Sequence, residues 1–240
     1  DYNKQRSIPR PGHADWVAHQ KFGGNEDYRG GGHFSARLTT GIVAAGAIAK
    51  KLMPAIKFNA TVTEIAGEND LEKGLQKGID AKDSVGGIIE CKVNGLPGGL
   101  GESYFDAVES VLSHILFAIP AVRGVEFGTG FAAAKMFGSQ HNDAIENMDG
   151  ETRTNHAGGI VGGISNGNEL VFRLAVKPTS STPKIQNSLN WDTGTTEDFS
   201  IKGRHDLCVA LRAPVIVEAV TALVIADFML LSQHIKRVIA

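Results

Sequence analysis

The 240 residues are enough for one large domain or two small ones, and a hydrophobic content of 42% allows a substantial core. The formal net charge is −2 with the eight histidines neutral, so no global positive field indicates nucleic acid or an acidic membrane as a partner. The two cysteines, Cys91 and Cys208, form neither a disulfide framework nor a metal-binding spacing. Their scarcity predicts reduced thiols and a cytoplasmic protein without a metal site.

The first third of the chain predicts two helices and one strand. Residues 1–16 hold turn formers and charges and predict no regular element. Ser35 is suited to cap a helix over residues 36–53, whose run of alanine and glycine predicts unusually close packing against a neighbour. Residues 58–67 alternate like a half-buried strand, and residues 70–82 form an amphipathic helical pattern.

The rest of the chain alternates between strand patterns, one amphipathic helix and glycine-rich or polar loops. The predicted elements are a strand at 85–96, a helix at 103–119, a strand at 124–131, a glycine-rich segment at 155–168, a strand at 169–176 and a long polar loop at 177–199.

The most apolar run lies at residues 213–231. Glu218 and Asp227 interrupt it, which predicts a buried helix rather than a membrane span. Strands that look antiparallel and long helices without regular βαβ alternation predict an α+β fold.

The stretch "EDYRGGGHFSARLTTG" is a candidate binding segment, because Gly30, Gly31 and Gly32 precede a predicted helix. Backbone N–H groups at such a turn form an anion cradle, and Arg29 and Arg37 are suited to grip a phosphate or a carboxylate there. The alternative is a tight turn with solvated arginines.

Three further segments carry candidate chemistry. "RPGHAD" places His13, a potential proton carrier, on a proline–glycine turn close to Asp15. In "KGRHDLC" the carboxylate of Asp206 lies near Arg204 and can serve as a base, and "KPTSS" (177–181) offers a cation and hydroxyls for a phosphate. The alternatives are a structural histidine, a surface ion pair and an ordinary loop. Together these segments predict a site for a multiply anionic ligand.

Ten motifs, in their order and approximate spacing, make the chain resemble chorismate synthases from Arg10 to about Leu231. They are "RPGHADW", "DYRGGGHFSAR", "AAGAIAKK", "DSVGG", "GLPGGLGESYFD", "IPAVRGVEFGTGF", "GSQHND", "TNHAGGIVGGISNGN", "KPTSS" and "KGRHDLC".

The resemblance implies a β-α-β sandwich of antiparallel sheets around a helical core, assembled as a cytoplasmic homotetramer. It implies a lyase that converts 5-enolpyruvylshikimate 3-phosphate to chorismate and phosphate by a 1,4-anti elimination. The implied cofactor is reduced FMN (FMNH2), although the reaction has no net redox change. The flavin would be reduced by an external reductant or by NAD(P)H.

The resemblance also implies roles for individual residues. His13 would protonate the reduced flavin near N1, and Asp206 would help to deprotonate its N5. Pro120 and Ala121 would reach the flavin from a neighbouring subunit. The other implied flavin contacts are His33, Phe34, Ser35, Gly162, Lys177, Pro178, Thr179, Ser180, Ser181 and Arg204, and the implied substrate contacts are Arg10, Ser35, Arg37 and Arg204.

The chain departs from the family pattern in two respects. His33-Phe34-Ser35 stands where many members have Arg-Ser-Ser, which indicates a branch of the family. The family also begins about 90 residues earlier, so we expect residues 1–240 to form a single domain without that N-terminal segment. The alternative to an active enzyme is a truncated, non-catalytic remnant that binds flavin or another subunit.

Overall fold

The computed structural model describes residues 6–29, 31–201 and 206–236. Within these residues the chain forms six α-helices and eight β-strands. The helices are α1 (Asp15–Phe22), α2 (Thr39–Leu52), α3 (Leu71–Ala81), α4 (Val108–Leu116), α5 (Gly138–His141) and α6 (Pro214–Leu231). The strands are β1 (Lys57–Ile65), β2 (Gly87–Asn94), β3 (Val122–Phe127), β4 (Ile160–Val161), β5 (Ile164–Ser165), β6 (Leu170–Val176), β7 (Gln186–Asn190) and β8 (Thr195–Phe199).

A four-stranded antiparallel sheet in the order β1-β2-β6-β3 forms the framework. Cys91 in β2 pairs with Ala60 on one side and with Phe172 on the other. Phe172 in turn pairs with Phe127, and their rings lie 5.8 Å apart. Alternate residues of β6 are buried, so one face of the sheet packs on the core. The predicted α+β class with antiparallel strands is confirmed.

Helix α6 is the central element of the helical layer. It packs against α2, α4 and β1, and half of its residues are buried. Among the described residues it is the one helix long and apolar enough, by length and composition alone, to cross a membrane. The Oε1 atom of Glu218 accepts a hydrogen bond from the backbone N–H of Ala60 at 3.0 Å, and its Oε2 accepts one from Lys50 Nζ at 2.5 Å. Of the two charges that interrupt the apolar run, Glu218 is therefore paired inside the fold, whereas Asp227 is exposed.

The alanine-rich helix α2 approaches α6 closely, as predicted. Gly46 is buried at the contact, and a Cβ atom added there would lie 2.5 Å from the Cα of Ala219. No side chain fits in that space without moving the backbone of α6. Gly41 lies in the same helix with nothing within 4 Å of the equivalent position.

Three elements differ from the sequence prediction. Helix α1 begins at Asp15, at the end of the 1–16 segment where only turns were expected, and continues to Phe22. Strands β7 and β8 form a hairpin inside the predicted polar loop at 177–199. The helix predicted at 103–119 is shorter, because a 3₁₀ turn at Tyr104–Asp106 precedes α4. Long-range contact holds the first two, because the ring of Trp16 in α1 lies 6.1 Å from the ring of Trp191 in the β7–β8 hairpin.

Replacing Gly46 by alanine is expected to lower the free energy of unfolding by about 1–3 kcal/mol, because the new methyl group overpacks the α2–α6 contact. Replacing Gly41 by alanine is the matched control, since it gains up to about 1 kcal/mol of helix propensity without a clash. Urea denaturation followed by circular dichroism measures both. A Gly46→Ala variant as stable as Gly41→Ala would contradict the close contact.

Candidate functional site

Two motifs separated by more than 160 residues meet at the carbonyl of Gly12. The Nζ atom of Lys177 donates to this oxygen at 3.0 Å, and the hydroxyl of Ser180 donates to it at 2.7 Å. The guanidinium of Arg10 lies 3.4 Å from Ser181 Oγ. The turn that carries His13 is thus fixed to the loop that follows β6.

The 177–181 loop is fixed in turn by neighbouring segments. The backbone N–H of Lys177 donates to the carbonyl of Ala121 at 2.9 Å. The hydroxyl of Ser84 donates to the carbonyl of Thr179 at 2.8 Å, and Thr179 Oγ1 donates to the carbonyl of Asp206 at 3.2 Å. Ala121 has a positive φ of 74°, a conformation that costs an L-residue energy and is held here by its surroundings. These bonds bring Ala121 and Asp206 to the loop.

Arg10 and Asp15 form a two-point ion pair beside His13. Arg10 Nε lies 2.7 Å from Asp15 Oδ2, and Arg10 Nη2 lies 2.8 Å from Asp15 Oδ1. His13 Nδ1 lies 2.6 Å from the same Oδ1. Burial raises the pKa of Asp15, but the hydrogen bonds from Arg10 and His13 outweigh it and hold that pKa far below its usual range. Arg10 was predicted to hold a substrate anion. In the structure, two of its three guanidinium nitrogens donate hydrogen bonds to Asp15 instead.

A cavity of about 470 Å³ gathers most of the predicted site residues. His13 and Asp206 line the same cavity, as the proposed proton chemistry requires. The other predicted residues along its wall are Arg10, His33, Phe34, Ser35, Pro120, Ala121, Lys177, Pro178, Thr179, Ser180 and Ser181. Pro120 and Ala121, expected to reach a flavin in a neighbouring subunit, here line the cavity of their own chain.

A second cavity of about 790 Å³ adjoins the first and shares Ser35, Pro120 and Asp206 with it. Arg37 and Arg212 add positive charge to its wall. Arg212 Nη2 lies 2.8 Å from Asp206 Oδ1, so the carboxylate predicted as a base is paired with a cation.

The remaining predicted residues lie elsewhere. Gly162 is in the turn between β4 and β5 and is absent from the described walls of both cavities. Its role stays a prediction. Gly30 and Arg204 lie outside the described residues. Gly31, the neighbour of Gly30, has a φ of 94°, which favours glycine, and a Cβ atom there would lie 3.3 Å from His13 Nε2.

Sequence reasoning missed several charged groups of the site. Arg123 lines the first cavity, and Arg212 lines the second. Burial, and then the charge of Arg123, lower the pKa of Lys177. Arg123 belongs to the motif "IPAVRGVEFGTGF", two residues after Ala121, so a closer reading of that motif would have found it. Nothing in the sequence pairs Arg212 with Asp206.

The two cysteines are free and buried. Burial raises the pKa of Cys91 to about 12 and also raises that of Cys208, so neither thiol is activated as a nucleophile. No group of three or more histidine, cysteine or acidic side chains suited to a metal is found in the described part of the chain.

Known proteins and a family model match this chain over most of its length. The family model described as "Chorismate synthase" matches residues 1–230. The chorismate synthase of Chitinophaga pinensis is 64% identical over 99% of this chain and 72% of its own length. That of Dehalococcoides mccartyi strain BAV1 is 42% identical over 100% of this chain and 74% of its own.

The fold also matches a solved structure. A crystal structure of chorismate synthase superposes with a TM-score of 0.74 at 24% sequence identity, over 91% of this chain and 70% of that one. At this identity the match supports the fold alone, and it agrees with the mixed architecture of helices and antiparallel sheets. The matched family model and the high identity to curated relatives decide the assignment. The chain belongs to the chorismate synthase family.

Proposed function

We propose that this chain converts 5-enolpyruvylshikimate 3-phosphate to chorismate and phosphate by a 1,4-anti elimination that depends on reduced FMN. The proposal rests mainly on one observation: in a chain of this family, His13, Asp206 and Lys177 line the same cavity. The 64% identity to a curated chorismate synthase supports the catalytic role and not the alternative of a non-catalytic remnant.

The charge of the two cavities suits the proposed substrate. 5-Enolpyruvylshikimate 3-phosphate carries one phosphate and two carboxylates, and FMN carries a further phosphate. Burying so many negative charges requires several cations and oriented donors. Lys177, Arg123, Arg37 and Arg212 face the two cavities, and the hydroxyls of the 177–181 loop supply neutral donors.

The donor set and the space also fit a flavin. Ligand sites commonly have volumes of about 300–1,000 Å³. The two adjoining cavities, of about 470 and 790 Å³, each lie in that range. His33, Phe34, Ser35 and the 177–181 loop would hold the cofactor at the first cavity. When bound, reduced FMN supplies electron density to the allylic carbon that loses phosphate and assists removal of the hydrogen.

The side chains of the protein would control protons and water around that chemistry. When protonated, His13 would donate its proton from Nε2 next to the glycine turn, and Asp206 would provide a carboxylate oxygen as acceptor. Lys177, whose pKa is lowered mainly by burial, would balance ligand negative charge. A bound ligand would displace water from this wall, as the chemistry requires.

The assembly and the location remain predictions from the family. A homotetramer in the cytoplasm, with flavin reduced by an external reductant or by NAD(P)H, belongs to this proposal. Gly162 would then act as a flavin contact outside the cavities described above.

The variants His13→Ala and Asp206→Ala are each expected to slow turnover by about 100-fold or more, because each removes a group that moves a proton. The protein is mixed anaerobically with photoreduced FMN and 5-enolpyruvylshikimate 3-phosphate, and chorismate absorbance and phosphate release are followed. FMN affinity is expected to change little in both variants.

Matched controls are His114→Ala, on the exposed side of α4, and Asp149→Ala, in an exposed loop. Both controls are expected to keep the wild-type rate. Near-normal turnover in His13→Ala and Asp206→Ala together would overturn the assignment of these two residues.

The variant Lys177→Gln is expected to weaken FMN binding about tenfold, the loss of about 1.4 kcal/mol that one charge-assisted hydrogen bond contributes. Quenching of flavin fluorescence measures the dissociation constant. Lys51→Gln, at an exposed position in the last turn of α2, is the control and should bind FMN as wild type does. Equal affinities of both variants would remove Lys177 from the cofactor site.

A further inference from the structure

Asp15 contacts the histidine of the site without lining the cavity that holds it. Its Oδ1 lies 2.6 Å from His13 Nδ1, and the side chains of Asp15 and His13 are 22% and 19% exposed. The ion pair with Arg10 holds both carboxylate oxygens, at 2.7 and 2.8 Å. The backbone N–H of Arg10 adds a third donor at 3.0 Å. Asp15 is therefore held rigidly and cannot turn away from the imidazole.

The hydrogen-bond partners decide which nitrogen of His13 carries the proton in the neutral ring. Asp15 is ionised at neutral pH, because the hydrogen bonds from Arg10 and His13 outweigh the effect of burial and hold its pKa very low. An ionised carboxylate only accepts, so a contact of 2.6 Å requires a proton on Nδ1. Arg10 Nη2 also lies 3.0 Å from Nδ1, but it donates to the same Asp15 Oδ1 at 2.8 Å, so the guanidinium and the Nδ1–H group share that acceptor. The neutral ring consequently has its lone pair on Nε2.

The Nε2 atom of His13 lies beside the backbone of Gly31. A Cβ atom on Gly31 would lie 3.3 Å from Nε2, so a side chain at that position would obstruct it. The charged or titratable groups around His13 are Arg10 and Asp15 on its own segment, and His33, Arg123, Lys177 and Asp206 along the cavity wall. Of these, Asp15 is the group with a direct carboxylate contact to the ring.

We propose that Asp15 is a positioning residue that fixes the Nδ1–H tautomer of His13 and thereby directs proton exchange to Nε2. Asp15 also stabilises the imidazolium that forms when Nε2 takes up a proton. Because Asp15 is absent from the described wall of the first cavity, its effect on turnover would pass through His13, which it contacts directly. The expected effect of Asp15 on turnover rests on the proposed function, in which His13 moves a proton. The expected tautomer of His13 does not depend on that function.

The direct test is ¹⁵N NMR of the histidine-labelled protein above neutral pH, with the His13→Gln variant used to identify the His13 signals. Wild-type His13 is expected to give a protonated Nδ1 and a lone pair at Nε2. In Asp15→Asn the amide can either donate or accept, so this preference is expected to be lost or reversed. A wild-type ring protonated at Nε2 would overturn the proposal, whatever the stability of any variant.

Turnover provides the second readout. Asp15→Asn is expected to lower kcat by about 100-fold or more, the order of effect seen when an orienting aspartate is neutralised, with FMN affinity unchanged. Asp15→Glu keeps the carboxylate and should recover part of the rate. Asp27→Asn is the matched control, since Asp27 is exposed and pairs with Arg29 at 2.8 Å in the neighbouring segment. Its turnover should remain within about twofold of wild type.

The outcomes separate the two proposals. A wild-type protein with the expected tautomer but no chorismate formation would refute the proposed function and leave the positioning of His13 supported. Normal chorismate formation by a folded Asp15→Asn protein that has lost the tautomer preference would refute the role of Asp15 in turnover.

Discussion

The hydrogen bonds to the Gly12 carbonyl are the interaction on which the candidate site depends. Lys177 Nζ and Ser180 Oγ both donate to this oxygen, at 3.0 and 2.7 Å, and join the turn of His13 to the end of β6. Strand β6 is a central strand of the four-stranded sheet, and its inward side chains are buried in the core. The position of His13 is therefore tied to a loop that leaves a buried central strand of the sheet. A site supported in this way keeps its geometry without a ligand.

Two groups of charged side chains lie around the cavity, the Arg10–Asp15 pair beside His13 and the cations Lys177 and Arg123 at the wall. Arg10 lies at the cavity wall, but two of its guanidinium nitrogens pair with Asp15, so it mainly neutralises the carboxylate beside His13. Lys177 and Arg123 remain at the wall, and burial and mutual repulsion lower the pKa of Lys177. An anionic ligand relieves both effects, because its negative charge stabilises the protonated Lys177 side chain in place of the water lost on burial. Such a cavity favours phosphate and carboxylate groups over neutral ligands.

Elements with a strong local pattern were predictable from sequence, and elements held by distant contacts were not. Helix α2 and strand β6 carry clear apolar patterns, and both were predicted close to their observed bounds. Helix α1 has no apolar stripe, and its aromatic ring Trp16 lies 6.1 Å from Trp191 of the distant β7–β8 hairpin. That hairpin is polar, and the backbone N–H of Trp191 donates to the carbonyl of Ser7. The residue types of the site came from motifs, but the pairing of Arg10 with Asp15 required the folded chain.

The central claim is that one cavity brings His13 and Asp206 to the same bound flavin. An anaerobic crystal structure of the protein with FMN and 5-enolpyruvylshikimate 3-phosphate tests it most directly. The account predicts the flavin ring in the 470 Å³ cavity, with His13 Nε2 and the Asp206 carboxylate within about 3 Å of its nitrogens or of one bridging water. A flavin bound away from this cavity, with neither side chain near the ring, would contradict it.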